Sequence, residues 1–362
     1  MWRRLCPRAE LSFEVTLSCG QSFAWKIMPD KQWIGVIGRN VVALRDCDAT
    51  DSVLYKLVHP KEVTDLIDAR VRDYFRTEVH NSVTHHHHVS SPVCQNNLAQ
   101  LYDAWKKPND KHTAAFVALP GLRTLRQDPV ECLFSFICSS NNNIARIQQL
   151  VDKLRVNYGD KLAAIDDMTW FAFPTVDQLA SIDESQLREL GFGYRAQYIV
   201  KSAAILSDLG GEEYLLSLRA NPDAAHVQTA LTQFSGVGRK VADCVALFSL
   251  DKLEAIPVDT HVWQISCRDF QFKKAATKSL TPTIYAEVGK LYQNRFQPYA
   301  GWAHSILFAA DLTKFKAILS PSPGKKKRKT MTRTLPPIPV ESPAATEQVH
   351  HANGRKMRSS KK

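Results

Sequence analysis

The 362-residue sequence contains no Cys-x-x-Cys pair, and its eight cysteines (Cys6, Cys19, Cys47, Cys94, Cys132, Cys138, Cys244 and Cys267) form no cluster. This spacing excludes a zinc ribbon or an iron–sulfur loop and reads as free thiols in a reducing compartment. Also absent is any stretch near the ~20 uninterrupted apolar residues that a bilayer span requires. Residues 1–10 are charged and broken by proline where a signal peptide is apolar, so neither secretion nor membrane insertion is expected. Charge of one sign is scarce once the C-terminal tail is set apart. Of the net +11, residues 321–362 supply 11 Lys/Arg against 2 Asp/Glu, which leaves the preceding chain at only +2. A polyanion must therefore be held by a local patch or by oriented backbone amides, not by a general basic field.

What is present is an ordinary globular composition, 44% apolar and 23% charged, in a chain long enough for two or three domains. Residues 22–27, 32–37, 41–45 and 53–57 have strand character. Pro29-Asp30 and Gly38-Arg39-Asn40 separate the first three, which predicts an antiparallel meander. Helical periodicity begins at Lys61, with Val63, Leu66, Ile67, Val71 and Phe75 on one face. A polar stretch over 77–97 follows, and from Leu98 onward nearly every periodic segment is helical. Asp128-Pro129 and Asp259 mark helix starts, and Gly191 and Gly210-Gly211 mark helix ends. These features predict an α+β body followed by an all-helical domain. After Ser320 come six prolines, no aromatic residue and a KKKRK block at 325–329, a composition that cannot bury enough apolar surface to fold alone. The basic run is a candidate nuclear address. The four histidines at 85–88 read as a polar surface insertion, because consecutive loop imidazoles lack the fixed geometry of a metal site.

The most informative pattern is LTQFSGVGRKVADCVALFSL at 231–250. A short helix ends near Phe234, Gly236-Val237-Gly238 turns tightly, and a second helix begins at once. Two glycines let a ligand approach the backbone, and unpaired amides at the helix start point outward at the positive dipole end. That is a phosphate cradle needing no net charge, although glycine turns also serve plain helix connections. Lys240 lies in the first helical turn, where its charge opposes the dipole, so stability alone does not select it. Asp259 follows at the next marked helix start. A nucleophilic lysine must shed its proton, and moving its pKa from ~10.4 to ~7–8 costs roughly 4 kcal/mol. A helix start and an apolar pocket push that way, and a close carboxylate opposes. Either desolvation wins, or the proton leaves during the reaction. Helical spacing puts Lys240, Cys244 and Phe248 on one face and aligns His304 with Phe308. Such faces either enclose a flat aromatic guest or pack as core.

Six segments carry a resemblance. They are GQSFAWK at 20–26, CSSNNNIARI at 138–147, LGFGYRAQYI at 190–199, FSGVGRKVADCV at 234–245, IPVDTHVWQ at 256–264 and QPYAGWAHSILFAADLT at 297–313. In this order they resemble the eukaryotic 8-oxoguanine DNA glycosylases, a family of the helix-hairpin-helix glycosylase superfamily, over about residues 11–314. The resemblance implies an α+β fold with a TATA-binding-protein-like antiparallel sheet domain over 1–115, interrupted at 77–97. An all-α glycosylase domain would span 116–320, with its helix-hairpin-helix at 225–250, and a disordered basic tail would span 321–362. It implies excision of 8-oxoguanine opposite cytosine in double-stranded DNA, without metal or redox cofactor, by a nuclear protein for which a monomer suffices.

The same resemblance implies residue roles. Lys240 attacks C1′ and forms a Schiff base, after which β-elimination cuts the strand, and Asp259 stabilises positive charge developing on the sugar. Gly20 offers its carbonyl to the N7 hydrogen of the lesion, Cys244 and Phe308 sandwich the flipped base, and Pro257 borders it. Asn141, Arg146 and Arg195 hold the orphaned cytosine while Tyr194 wedges into the gap. Gly236 and Gly238 form the phosphate-binding turn, and His261 and Lys278 lie near backbone phosphates. Three positions depart from the family pattern. His304 stands where a glutamine reads the base edge, Phe248 replaces a methionine, and Arg239 replaces a small polar residue. An imidazole offers one donor and one acceptor in a different geometry, so selectivity is the property in question. Two other readings stand beside this one. An oxidised-pyrimidine glycosylase of the same superfamily normally carries iron–sulfur cysteines that are missing here, and a noncatalytic module gripping phosphates has no need of a Lys240 and Asp259 pair.

Overall fold

Alternation of inward and outward side chains builds the N-terminal sheet. Its strands are β1 (Arg3–Pro7), β2 (Trp25–Ile27), β3 (Trp33–Ile37), β4 (Asn40–Cys47) and β5 (Ser52–His59), all antiparallel in the order β1-β5-β4-β3-β2. Helix α1 (Phe13–Ser18) comes between β1 and β2 in sequence, and α2 (Thr64–Tyr74) follows β5. The structure is a computed structural model that describes residues 1–59, 64–77, 97–107, 110–272 and 279–319, all within the unit Met1–Pro321. The insertion histidines at 85–88, Lys278 and the tail after 320 lie outside the described residues. Strands β2 to β5 match the meander read from the sequence. Strand β1 is an addition, because its short RRLCP run is recruited by pairing with the distant β5 (Cys6 with Val53, Arg4 with Leu54), a partnership no local pattern announces.

Strand β4 is buried on both faces. Val42 and Leu44 meet Val53 and Tyr55, Ile67 and Val71 of α2, and Phe75 just after it. Val41 and Ala43 meet Ile34, Val36 and a second ladder, β6 (Lys161–Ile165) paired with β7 (Met168–Phe171), through Leu162 and Trp170. This hairpin corrects the expectation of helix throughout after Leu98. Asp166 at φ +50 makes its turn, and the sheet's outer face supplies the apolar cover that a two-stranded hairpin cannot give itself. Leu66, expected on the buried face of α2, is 63% exposed, since it is rotated ~100° from Ile67. Val63 lies outside the described residues.

The helices that follow are α3 (Leu98–Trp105), α4 (Thr113–Ala118), α5 (Pro129–Ile137) and α6 (Ile144–Tyr158). After the hairpin come α7 (Val176–Ala180), α8 (Glu184–Glu189), α9 (Arg195–Asp208), α10 (Glu212–Ala220) and α11 (Ala224–Leu231). The last are α12 (Arg239–Ser249), α13 (Thr260–Asp269), α14 (Pro282–Arg295), α15 (Ala300–Asp311) and α16 (Thr313–Leu319). The expected caps are in place: Asp128 accepts from the Glu131 amide at 2.9 Å ahead of Pro129, and Gly191 and Gly210 end their helices at positive φ. The domain boundary expected after residue 115 falls inside α4. Leu98, Tyr102, Trp105 and Phe116 pack into the large helical core with Phe296 and Trp302, not into the sheet's core. The Trp105 indole N–H also donates to the Pro298 carbonyl at 3.2 Å. Helices α12 and α15 run through the middle of this core: Val241 to Ser249 and Ala300 to Leu307 are buried without a break.

Candidate active site

Helix α12 begins at Gly238 with no described side chain capping it. Gly236, just before, is held at φ +78, and a Cβ there would stand 2.4 Å from the Tyr198 ring. Gly238 has φ −90, and no described atom lies within 4 Å of where its Cβ would be. The fold itself requires the first glycine. The second leaves the helix start open to an approaching group.

Lys240, Cys244 and Phe248, four residues apart, line one cavity of about 410 Å³, within the range of small-molecule sites. Pro257, Asp259 and His261 reach it from the start of α13, and His304, Ser305 and Phe308 reach it from α15. The Lys240 and Asp259 pair, separated in sequence, thus faces a common space. Asp259 also caps α13, its Oδ1 accepting from the amides of His261 at 2.9 Å and Val262 at 3.0 Å. Capping fixes the carboxylate's orientation as well as the helix start. The Lys240 ammonium lies 5.5 Å over the Phe136 ring, which stacks on Phe248 at 5.6 Å and 16°.

Gly20 comes to the same cavity from the loop after α1. Its loop is pinned by the buried Gln21, whose Nε2 donates to the carbonyls of Thr16 (2.9 Å) and Arg123 (2.8 Å) and whose Oε1 accepts from the Leu125 amide (3.0 Å). The Gln127 side chain donates to the Gln21 carbonyl at 2.7 Å, while the Gln127 amide donates to the Phe248 carbonyl at 2.9 Å. This relay ties the Gly20 loop to the end of α12.

Electrostatics divide the site's titratable groups. Burial presses the Lys240 ammonium down, while the hydrogen bond to the Cys244 sulfur and the Asp259 carboxylate pull it up, so that the net shift is upward. Of the two routes open to a nucleophilic lysine, this direction favours the second, in which the proton leaves during the reaction. Burial pushes Cys244 up to about 11, leaving it a thiol at neutral pH. Burial pushes His304 down to about 4, against the pull of Asp259, so its imidazole is neutral. That ring is buried and stacks on Phe308 at 26°, and neither ring nitrogen has a hydrogen-bond partner among the described residues. Leaving a buried polar atom unpaired costs ~1–3 kcal/mol, which a ligand of complementary edge would recover.

Comparison with known proteins agrees with this geometry. Residues 4–133 match the family model for the 8-oxoguanine DNA glycosylase N-terminal domain, and residues 134–290 match that for helix-hairpin-helix superfamily base excision DNA repair proteins. An N-glycosylase/DNA lyase of Arabidopsis thaliana is 38% identical over 86% of this chain and 80% of its own length. The chain belongs to the 8-oxoguanine DNA glycosylase family. An N-glycosylase/DNA lyase of Saccharomyces cerevisiae is 33% identical over 84% of each chain. Among solved structures, the 8-oxoguanine glycosylase/lyase of Clostridium acetobutylicum, in complex with double-stranded DNA containing cytosine opposite 8-oxoguanine, superposes with a TM-score of 0.66. It is 25% identical and covers 83% of this chain and 91% of its own. This glycosylase is accordingly an α+β enzyme with a sheet domain followed by a helix-hairpin-helix domain.

A second group of predicted residues gathers beside the cavity without lining it. Asn141 adopts φ +45, and the carbonyl of Ser140 before it accepts from Tyr194 Oη at 2.8 Å and Arg195 Nε at 3.2 Å. Arg195 Nη2 donates to the Asn141 carbonyl at 3.1 Å, and its guanidinium stacks on Tyr194 at 4.5 Å. Arg195 is buried and shapes the Asn141 turn, while Tyr194, 45% exposed, presents its ring outward. Arg146 is exposed on α6 and reaches the Gly191 carbonyl only at 3.5 Å. The structure adds Gln21, Phe136, Asn142 and Asn143 as cavity or support residues of the glycosylase. The asparagines and Gln21 adjoin motif residues and were within reach of the pattern. Phe136 carries no sequence signal, since every residue of α5 is buried.

Proposed function

We propose that this glycosylase excises 8-oxoguanine paired with cytosine from double-stranded DNA and then nicks the strand as a lyase, with Lys240 as the nucleophile. The observation that carries the proposal is the shared cavity of Lys240, Asp259 and the unpartnered His304. A phosphate-gripping module needs none of the three. Bound DNA of the stated kind in the clostridial relative supports the substrate.

A base within a duplex is out of reach, so extrusion costs a few kcal/mol that a stacking pocket and a filled gap must offset. The rings around the cavity answer the first need, and the Asn141, Tyr194 and Arg195 cluster the second. Lys240 Nζ bonds to C1′ as the C1′–N9 bond breaks, and the base departs with the electron pair and takes up the proton that the ammonium gives up. The Asp259 carboxylate offsets the positive charge that develops on the sugar. Ring opening to the Schiff base acidifies the C2′ hydrogen, and its loss expels the 3′ phosphate. Within the pocket, Gly20 accepts from the lesion's N7 hydrogen, Cys244 and Phe308 enclose the base with Pro257 at its border, and neutral His304 meets its edge. Asn141 and Arg146, with Arg195, hold the orphaned cytosine by the fixed donors and acceptors that edge recognition demands. Gly236 and Gly238 seat a backbone phosphate and His261 lies by another. Nuclear residence through the KKKRK block at 325–329 is part of the same reading.

The test is incubation with a duplex carrying 8-oxoguanine opposite cytosine in the presence of borohydride. A covalent adduct that disappears in Lys240→Gln is expected. No adduct with the intact protein removes the lyase activity, and an adduct confined to oxidised pyrimidines favours the other substrate class. Removing residues 321–362 is expected to leave excision unchanged and to shift the protein out of the nucleus. Unchanged distribution by imaging refutes the address.

A further inference from the structure

Lys240 and Asp259 stand on different elements, so their separation is set by whatever joins α12 to the segment ahead of α13. A buried polar bridge outside the cavity lining makes that join. Asp243, one turn after Lys240, is 6% exposed and does not line the cavity. One of its oxygens accepts from Gln228 Nε2 of α11 at 2.7 Å, and the other accepts from the Tyr285 hydroxyl of α14. The same hydroxyl lies 3.3 Å from the Ile256 carbonyl, in the segment that leads to Asp259. Burial holds Asp243 up to about 6, against the pull of Tyr285, Gln228 and Arg239, so at neutral pH it is an acceptor and the phenol is its donor.

We propose that Tyr285 and Asp243 are positioning residues of the glycosylase, their hydrogen bond fixing the helix that carries Lys240 against the segment that carries Asp259. The inference rests on the proposed roles of that pair and concerns how they are held. Packing alone does not set the spacing so closely: apolar contacts tolerate sliding by fractions of an ångström, whereas a hydrogen bond weakens steeply with misalignment. A displacement of about 1 Å at a catalytic group costs up to ~100-fold in rate. Because the bridge does not line the cavity, its loss is expected to act on the chemical step and not on the grip on DNA.

The experiment uses the full chain and measures two quantities. One is the single-turnover rate of 8-oxoguanine excision at saturating enzyme. The other is the Kd for a duplex carrying a tetrahydrofuran abasic analogue opposite cytosine. Tyr285→Phe and Asp243→Ala are expected to slow excision at least tenfold while Kd stays within threefold. Asp243→Asn is expected to restore the rate to within threefold of wild type, because its carbonyl still accepts from Tyr285 and its amide pairs with a flipped Gln228. Tyr285→Phe is isosteric and is the deciding variant if Asp243→Ala does not fold. A Tyr285→Phe rate within twofold of wild type overturns the proposal, as does a loss in which rate and DNA affinity fall by the same factor. If wild type leaves 8-oxoguanine intact, the substrate assignment fails. The bridge is then judged on the rate of borohydride trapping at a natural abasic site, with the same thresholds.

Discussion

His304→Gln removes a buried imidazole whose protonation the fold opposes. The interval between an ordinary histidine near 6.5 and the value near 4 that burial imposes corresponds to about 3 kcal/mol at ~1.4 kcal/mol per pH unit. The unfolded chain binds the proton as pH falls through 6.5, but the folded protein does not until about 4. Stability therefore declines across that window, and the loss is complete below it. By pH 5 the wild type is expected to have lost about 2 kcal/mol from this group relative to pH 7.5. Asp243 acts in the opposite sense, since its folded pKa is raised to about 6 from 3.8, so folding takes up a proton as pH falls. That contribution is common to both proteins, so the wild-type minus variant difference isolates His304. Urea unfolding of both at intervals between pH 7.5 and 5.0 supplies the difference. A value that stays the same across that range would show that the imidazole is solvated or already paired, and the account of an unpartnered ring would fall.

The two hairpin glycines are expected to separate folding from binding. Gly236→Ala meets both the left-handed backbone and the Tyr198 ring and should cost about 2–3 kcal/mol in denaturant unfolding. Gly238→Ala should shift stability by less than ~1 kcal/mol yet weaken duplex binding about tenfold or more, as one charge-assisted contact is lost; equal effects at both sites refute the division. Because Lys240 is held above its ordinary range, its ammonium persists through neutral pH. Single-turnover excision, in which that proton is passed on within the complex, should therefore change little between pH 6.5 and 8.5, and a nearly tenfold rise per unit would show that only amine already deprotonated reacts. Gln21→Ala leaves the Leu125 amide unpaired along with two lost acceptor contacts. It should destabilise by about 3 kcal/mol and lower excision more than DNA affinity, which filter binding and gel assays resolve.

Local chemistry announced much of this protein. The capped start of α5 at Asp128-Pro129, the meander from β2 to β5 and the uncapped glycine turn before α12 are each written in short stretches of chain, because turn and cap energetics are short-range. The departures fall where distant residues decide. The β6–β7 segment becomes strand because the outer face of β4 is apolar, and β1 exists because β5 offers it an edge. Helix α3 joins the helical core because Tyr102 and Trp105 find their partners near Pro298 and Phe296.

The chemical types at the site, an amine beside one helix start and a carboxylate at the next, follow from the sequence by itself, as does the family to which those motifs belong. Only the tertiary structure decided that the surroundings of Lys240 raise its pKa, that His304 is neutral with both nitrogens unpaired among the described residues, and that Tyr285 of α14 meets Asp243 of α12. The reason is physical. A pKa depends on burial and on charges within a few ångströms, and a buried hydrogen bond depends on which elements cross, and neither quantity is a property of a local stretch of chain.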